Sequence, residues 1–284
     1  MDSLQKKLQI LEKVKSQRDE FRGVFDLFEK IFIERERIKE KLDCPENCFD
    51  DAGIALRVNE GFPLIIEEMF FPHLDILEEY FNVLTGLISL NNDSGVAFIK
   101  STMQKNNTGF KTIVKALLGE NAQERMAPFQ QEKNLLIFII RECLKPVLEV
   151  YKDQLKDKID VLKMFQGTCP ICGGFPFLAH LRGEEGKRYL FCSDCFMEWS
   201  FERIKCPFCE NNEQGSMGYF SPENESQYNV TFCKKCKRYV KTIDSRNASG
   251  QMVPEIENLA TLHLDVIAQK EGLKSEEVLI HLLI

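Results

Sequence analysis

The residues with the most chemistry to offer in this chain are its cysteines. Eight of the eleven fall between Cys169 and Cys236 as four Cys-x-x-Cys pairs: Cys169/Cys172, Cys192/Cys195, Cys206/Cys209 and Cys233/Cys236. Two residues between thiolates let both sulfurs of a tight turn face one ion. Two such turns complete the tetrahedron that zinc or mononuclear iron prefers. Pairing in sequence order gives Cys-x2-Cys-x19-Cys-x2-Cys and then Cys-x2-Cys-x23-Cys-x2-Cys, each with room for a β-hairpin between its knuckles. A crossed pairing, first with third and second with fourth, is also sterically open, and the sequential one is preferred. A thioredoxin-like redox site expects a single pair in a βαβ context, so four pairs within 68 residues point to two metal sites.

A tetrathiolate site has no open coordination position, so it folds its module and does not activate water, which argues against a metallohydrolase. In Cys169-Pro-Ile-Cys-Gly the proline sets one turn dihedral, and Gly173 can take a positive φ that lets backbone N–H groups point at sulfur. Cys206-Pro-Phe-Cys-Glu has the proline without the glycine and is expected to make a less ideal turn. Four thiolates on a divalent ion leave a formal charge of about −2. Lys234, Lys235, Lys237 and Arg238 flank the last knuckle, where they can offset it.

These knuckles need a scaffold, and the chain is partitioned to supply one. The first 165 residues carry only Cys44, Cys48 and Cys143 and read as helices. Leu4, Leu8 and Leu11 share one helical face, as do Phe25, Phe28 and Phe32, with charges between them. Asp43-Cys44-Pro45 stops that run. Apolar segments at 64–90, 96–103, 110–118 and 135–151 follow, separated by Asn-, Asp- and Gly-rich turns. They predict a helical bundle, with Pro72 and Pro146 as kinks or breaks. Residues 167–245 are rich in glycine, aromatics and β-prone runs such as 188–192 and 228–233. Leu259, Leu262, Val266 and Ile267 then share a helical face that Gly272 is placed to end, and Ser275 is the expected N-cap of a last short helix. The expected fold class is therefore α+β, mainly α: a helical domain (1–165), a first tetrathiolate module (166–205), and a second with C-terminal helices (206–284).

The 284 residues, 44% of them hydrophobic, suit two or more folded domains. The polar N-terminus does not read as a secretory signal, so reduced thiols in the cytosol are expected. The run Leu135–Ile140 is far short of a membrane span, and no membrane insertion is expected. A net charge of −7 disfavours a surface built for phosphate backbones.

Four stretches together resemble the formate dehydrogenase accessory protein FdhE family in order and spacing. They are 167–176 (Gly-Thr-Cys-Pro-Ile-Cys-Gly-Gly-Phe-Pro), 188–203, 233–244 (Cys-Lys-Lys-Cys-Lys-Arg-Tyr-Val-Lys-Thr-Ile-Asp) and 258–265 (Asn-Leu-Ala-Thr-Leu-His-Leu-Asp). The resemblance is specific from 167 to about 272 and general before that. It implies a helical domain joined to two rubredoxin-like or zinc-ribbon-like modules, with the eight cysteines above as ligands of two ions, iron in the family or else zinc. It also implies a cytoplasmic, non-enzymatic chaperone for respiratory formate dehydrogenase that binds the catalytic subunit before export. A homodimer is compatible with this.

Two other classes compete with that reading. A zinc-ribbon nucleic-acid binder would cluster basic residues, yet residues 167–241 hold 10 Lys/Arg against 9 Asp/Glu. A redox-active iron-tetrathiolate carrier would need a metal with an accessible redox step, which zinc lacks.

The remaining singular residues read as structural. Cys44 and Cys48 make half a site at most and read as incidental, and Cys143 lies in register with Leu136, Ile139 and Ile140 as core. His263 reads as a locally bonded packed histidine, and His180 is redundant beside eight thiols. Trp199 and Phe201 are expected to cover the metal module's small core. Glu67/Glu68 and Glu78/Glu79 are adjacent pairs that face different ways and read as solvated charge.

Overall fold

A computed structural model describes residues 3–45, 50–119, 122–160, 166–223, 225–246 and 252–275. They fall into two compact units, 3–45 with 65–150 and 50–64 with 151–275. In chain order the helices before the cysteine-rich region are α1 (Ser3–Gln17), α2 (Arg22–Lys39), α3 (Asp51–Asn59), α4 (Leu74–Ser89), α5 (Asp93–Lys105), α6 (Phe110–Leu118), α7 (Ala122–Met126) and α8 (Lys133–Leu155). All but α3 begin in the first unit.

The first unit is organised by apolar stripes at helical spacing. Phe25, Phe28, Ile31 and Phe32 of α2 are buried, as are Leu77, Phe81, Leu84 and Ile88 of α4 and Leu135, Leu136, Ile139, Ile140 and Cys143 of α8. Asn92 caps α5 by accepting from the Gly95 N–H at 3.0 Å. Pro72 lies in a 3-10 turn (Glu67–His73) ahead of α4, where a missing N–H breaks no α-helical ladder. Pro146 sits inside α8 without ending it. Leu144, Val147 and Leu148 are buried around it, and that burial outweighs the lost hydrogen bond. The helix α3 escaped the sequence reading because its apolar period is weak, with Ile54 as its one buried residue. Its signal was the cap, where Asp50 accepts from the Gly53 N–H at 2.7 Å.

One cation lies within the α2 stripe. Arg35, 1% exposed, donates to Glu142 at 2.6 Å and to Glu149 at 3.1 Å, and Lys145 donates to Glu142 at 2.5 Å. A buried guanidinium is tolerable only with such partners.

The second unit is built on a six-stranded sheet of β1 (Pro176–Arg182), β2 (Lys187–Cys192), β3 (Glu198–Ser200), β4 (Met217–Phe220), β5 (Tyr228–Cys233) and β6 (Tyr239–Asp244), in the order β3-β2-β1-β6-β5-β4. Two antiparallel three-stranded pieces, one per tetrathiolate module, are joined by the parallel pair β1–β6, with Leu178 opposite Lys241 and Leu181 opposite Asp244. Helices α9 (Pro254–Ala260) and α10 (Leu262–Lys270) follow. Leu264 and Ala268 of α10 join Val230, Tyr239 and Leu273 in one core cluster. Gly272, at φ +74°, follows α10 as expected. The helix expected after Ser275 lies outside the described residues. The architecture is α+β and mainly α, as the sequence predicts.

Breaking the Arg35 cluster tests the first unit. Arg35→Ala takes from buried Glu142 its guanidinium partner, leaving it the Lys145 ammonium, opens a cavity where a fully buried side chain stood, and is expected to lower stability by about 3–5 kcal/mol. The measurement is the urea midpoint followed by circular dichroism, and a loss of a few tenths of a kcal/mol, the scale of a solvated pair, would contradict the role assigned to Arg35.

Candidate metal centre

The structure groups the eight cysteines in sequence order. Cys169, Cys172, Cys192 and Cys195 bring their sulfurs within 4.8 Å of one another, and so do Cys206, Cys209, Cys233 and Cys236. In the first tetrad Cys169–Cys195, Cys172–Cys192 and Cys172–Cys195 are 3.5, 3.4 and 3.5 Å apart. In the second, Cys206–Cys236 and Cys209–Cys233 are 3.7 and 3.8 Å apart. A regular tetrahedron with metal–sulfur bonds of about 2.3 Å has edges of about 3.8 Å, whereas a disulfide needs about 2.05 Å. Both tetrads therefore fit an ion bound by four thiolates, and all eight thiols are free.

All four knuckles use one backbone design. The first cysteine's N–H donates to the carbonyl five residues on: Cys169 to Gly174, Cys192 to Met197, Cys206 to Asn211 and Cys233 to Arg238, at 2.8–3.0 Å. The fifth residue of each knuckle, counting that cysteine as the first, has a left-handed backbone: Gly173 (φ +76°), Phe196 (+58°), Glu210 (+55°) and Lys237 (+61°). The Cys206 knuckle, expected to be less ideal for want of a glycine, makes the same turn with Glu210 held in the left-handed region despite its Cβ. A side chain in this region costs roughly 1–2 kcal/mol, so three knuckles hold strain that the surroundings must overrule.

The same turns aim amides at sulfur. The Asp194 N–H donates to Cys192 Sγ at 3.4 Å, and the Phe208 and Cys209 amides point at Cys206. Lys234 Nζ donates to the Gly215 carbonyl at 2.8 Å and Lys235 lies 4.0 Å from Glu213, while the buried Arg188 guanidinium interacts electrostatically with Cys206, so backbone dipoles and a buried cation both face thiolate charge.

Gathering the sulfurs drives their protonation apart. Burial raises the Cys233 thiol, but the Cys236 and Lys235 amides and the neighbouring thiols overcome it and hold this group down at about 7. Burial pushes Cys206 and Cys236 up. In the first tetrad burial is again opposed at Cys192, which its three partner thiols hold well below the usual range. Burial raises Cys169 and Cys195, and hydrogen bonding to its three partner thiols raises Cys172. Each tetrad without its ion thus holds protons that a metal must displace.

The aromatics expected over the module are buried there. Trp199 is 0% exposed and its Nε1 donates to the Gln166 carbonyl at 3.0 Å. Phe201 lies under the Arg188 guanidinium, which donates to the carbonyls of Arg203 (3.2 Å) and Lys205 (2.9 Å). His180 is outside both tetrads, 2.6 Å from Glu198, and burial with the nearby Arg182 charge lowers it to about 4. His263 is 3.2 Å from Glu225. Cys143 is buried, and Cys44 lies 3.6 Å from His73. Cys48 is outside the described residues. Glu78 and Glu79 face Lys111 and Lys41.

One feature escaped the sequence reading. Lys241, 1% exposed, donates to Asp265 at 2.6 Å and to the Asn258 carbonyl at 2.9 Å, and the Tyr239 hydroxyl donates to Asp265 at 2.7 Å. Both ends of this pair lie in quoted motifs, 233–244 and 258–265, but nothing local in the sequence pairs them.

Comparison with known proteins agrees with this geometry. Residues 168–203 match the family described as "FdhE, central domain" and residues 204–282 match "FdhE, C-terminal domain". The "Protein FdhE homolog" of Aquifex aeolicus (strain VF5) is 28% identical over 227 residues, 78% of this chain and 75% of that protein. The homolog from Edwardsiella ictaluri (strain 93-146) is 36% identical over 108 residues, 37% of this chain and 34% of that protein. The crystal structure of the FdhE protein from Pseudomonas aeruginosa has the same fold, with a TM-score of 0.59 over 94% of this chain and 92% of that one at 17% identity.

Two outcomes follow from the knuckles. Zinc affinity is expected to rise at least tenfold from pH 6 to pH 8, because bound protons compete with the metal, and a flat profile in chelator competition would contradict the protonation pattern. Lys237→Gly relieves roughly 1–2 kcal/mol of left-handed strain against about 0.5–1 kcal/mol for glycine's freedom when unfolded. It should therefore raise the urea midpoint slightly, and a clear loss would contradict the strain.

Proposed function

We propose that this chain, a member of the FdhE family, is a non-catalytic accessory protein for the maturation of formate dehydrogenase. One observation carries the reading: each of the two matched FdhE domains contains one closed tetrad of cysteines. In this reading Cys169, Cys172, Cys192 and Cys195 hold one ion, and Cys206, Cys209, Cys233 and Cys236 hold a second. The ions are iron or zinc, within modules spanning 166–205 and 206–284 that follow a helical domain over 1–165. An ion bound by four thiolates supplies fold energy and, if it is iron, a one-electron couple, but no position for substrate. The chain's work is then recognition, with the formate dehydrogenase catalytic subunit as partner, met in the cytoplasm before export. No helix among the described residues is long and apolar enough to cross a membrane. The near-balanced charge of residues 167–241 gives a nucleic-acid role no support.

The test is an affinity pull-down from anaerobically grown source cells, with bound proteins identified by mass spectrometry. The native chain is expected to retain a formate dehydrogenase catalytic subunit, and Cys169→Ser/Cys172→Ser is expected to lose it together with metal. Retention of nucleic acid, or of no such subunit, would overturn the reading.

A further inference from the structure

We infer that the two tetrads load their ions cooperatively, coupled through the Arg238 guanidinium where it meets the rings of Phe175 and Phe208. The inference rests on the reading that both tetrads hold ions. The guanidinium carbon lies 5.8 Å from the Phe175 centroid and 5.7 Å from the Phe208 centroid, and the two rings are 5.9 Å apart. The three groups thus form a nearly equilateral triangle, within the range of cation–π attraction.

Each corner belongs to a different knuckle. Phe175 follows Cys172 by three residues, Phe208 stands between Cys206 and Cys209, and Arg238 follows Cys236 by two. The remaining knuckle is tied in by the backbone, since Ser193, next to Cys192, donates its N–H to the Phe175 carbonyl at 3.1 Å. Arg238 in turn accepts at its carbonyl from the Cys233 N–H at 2.9 Å. All four knuckles therefore meet at one cluster.

The backbones touch here as well. A Cβ on Gly167, two residues before Cys169, would lie 1.8 Å from the carbonyl oxygen of Pro207 inside the third knuckle, so only glycine permits this approach. The parallel β1–β6 ladder ties the same two modules through the sheet.

Coupling follows from the strain. Three knuckles hold side-chain-bearing residues in the left-handed region, and a tetrad that loses its ion loses what holds that turn. Relaxation of the second tetrad moves Phe208 and Arg238 away from Phe175, so the first tetrad loses contacts that its own loaded geometry requires. By linkage the dependence runs equally in reverse.

The test measures Zn²⁺ binding against a chromophoric chelator. The two-ion formation constant of the native chain is divided by the product of the single-tetrad constants from Cys209→Ser, chosen because Cys209 is the exposed ligand, and Cys172→Ser. Independent tetrads give a ratio of about 1, and the coupling predicts a ratio of about 5–150. Arg238→Lys keeps the charge but not the plane that lies over both rings, and is expected to cut the ratio at least threefold while two ions still bind. A ratio near 1 in the native chain, or one unchanged by Arg238→Lys, overturns the coupling. Should either cysteine variant fail to fold, native mass spectrometry at half-loading keeps the test open. Arg238→Lys is then expected to raise the one-ion share above that of the native chain, and an equal share overturns the coupling. A native chain that binds fewer than two ions instead shows that the tetrad assignment itself is wrong.

Discussion

Four sulfurs held within 4.8 Å of one another cannot all be thiolates without a cation among them, and the second unit depends on this constraint. Without an ion the tetrads divide their protons unevenly, with Cys192 and Cys233 held low and Cys169, Cys172, Cys195, Cys206 and Cys236 pushed up. With an ion, every sulfur is a ligand and no coordination position is left for substrate. The amides of the knuckle turns complete the arrangement, because they bring positive dipole ends to sulfur without the desolvation that a buried lysine would require. Backbone strain at Phe196, Glu210 and Lys237 is the counterpart of that geometry.

Around the tetrads the sheet turns two small modules into one body. Each contributes an antiparallel three-stranded piece, and where the β1–β6 ladder joins them Ile243 of β6 shares a core cluster with Phe177, Leu178 and Phe191. The Lys241–Asp265 pair then fastens the C-terminal helices to β6. Charges this deeply buried are poor sources of net stability but severe penalties when unpaired, so the pair specifies where the helices dock more than it strengthens them. The stretches 233–244 and 258–265 are thus the two sides of one contact.

The helical unit obeys different physics. It has no tetrad among its described residues, and its order comes from apolar stripes on α2, α4 and α8 with Arg35 neutralised by Glu142 and Glu149.

The sequence by itself determined the four thiol pairs and the contrast between a helical stretch and a cysteine-rich one, because both are local. A Cys-x-x-Cys turn places two sulfurs together wherever it occurs, and the spacing of Phe25, Phe28 and Phe32 makes a helical stripe without reference to the rest of the chain. Weak or overridden local signals hid other elements: α3 has little apolar period, and Pro146 is carried through α8 by burial that only packing provides. The tertiary structure alone decided which knuckles share a site, that Glu210 and Lys237 adopt the turn glycine makes easily, and that Lys241 finds Asp265 and Arg238 finds two rings. Each of these contacts joins residues distant in sequence or overrules a local preference, and its free energy exists only once the sheet has brought the knuckles together.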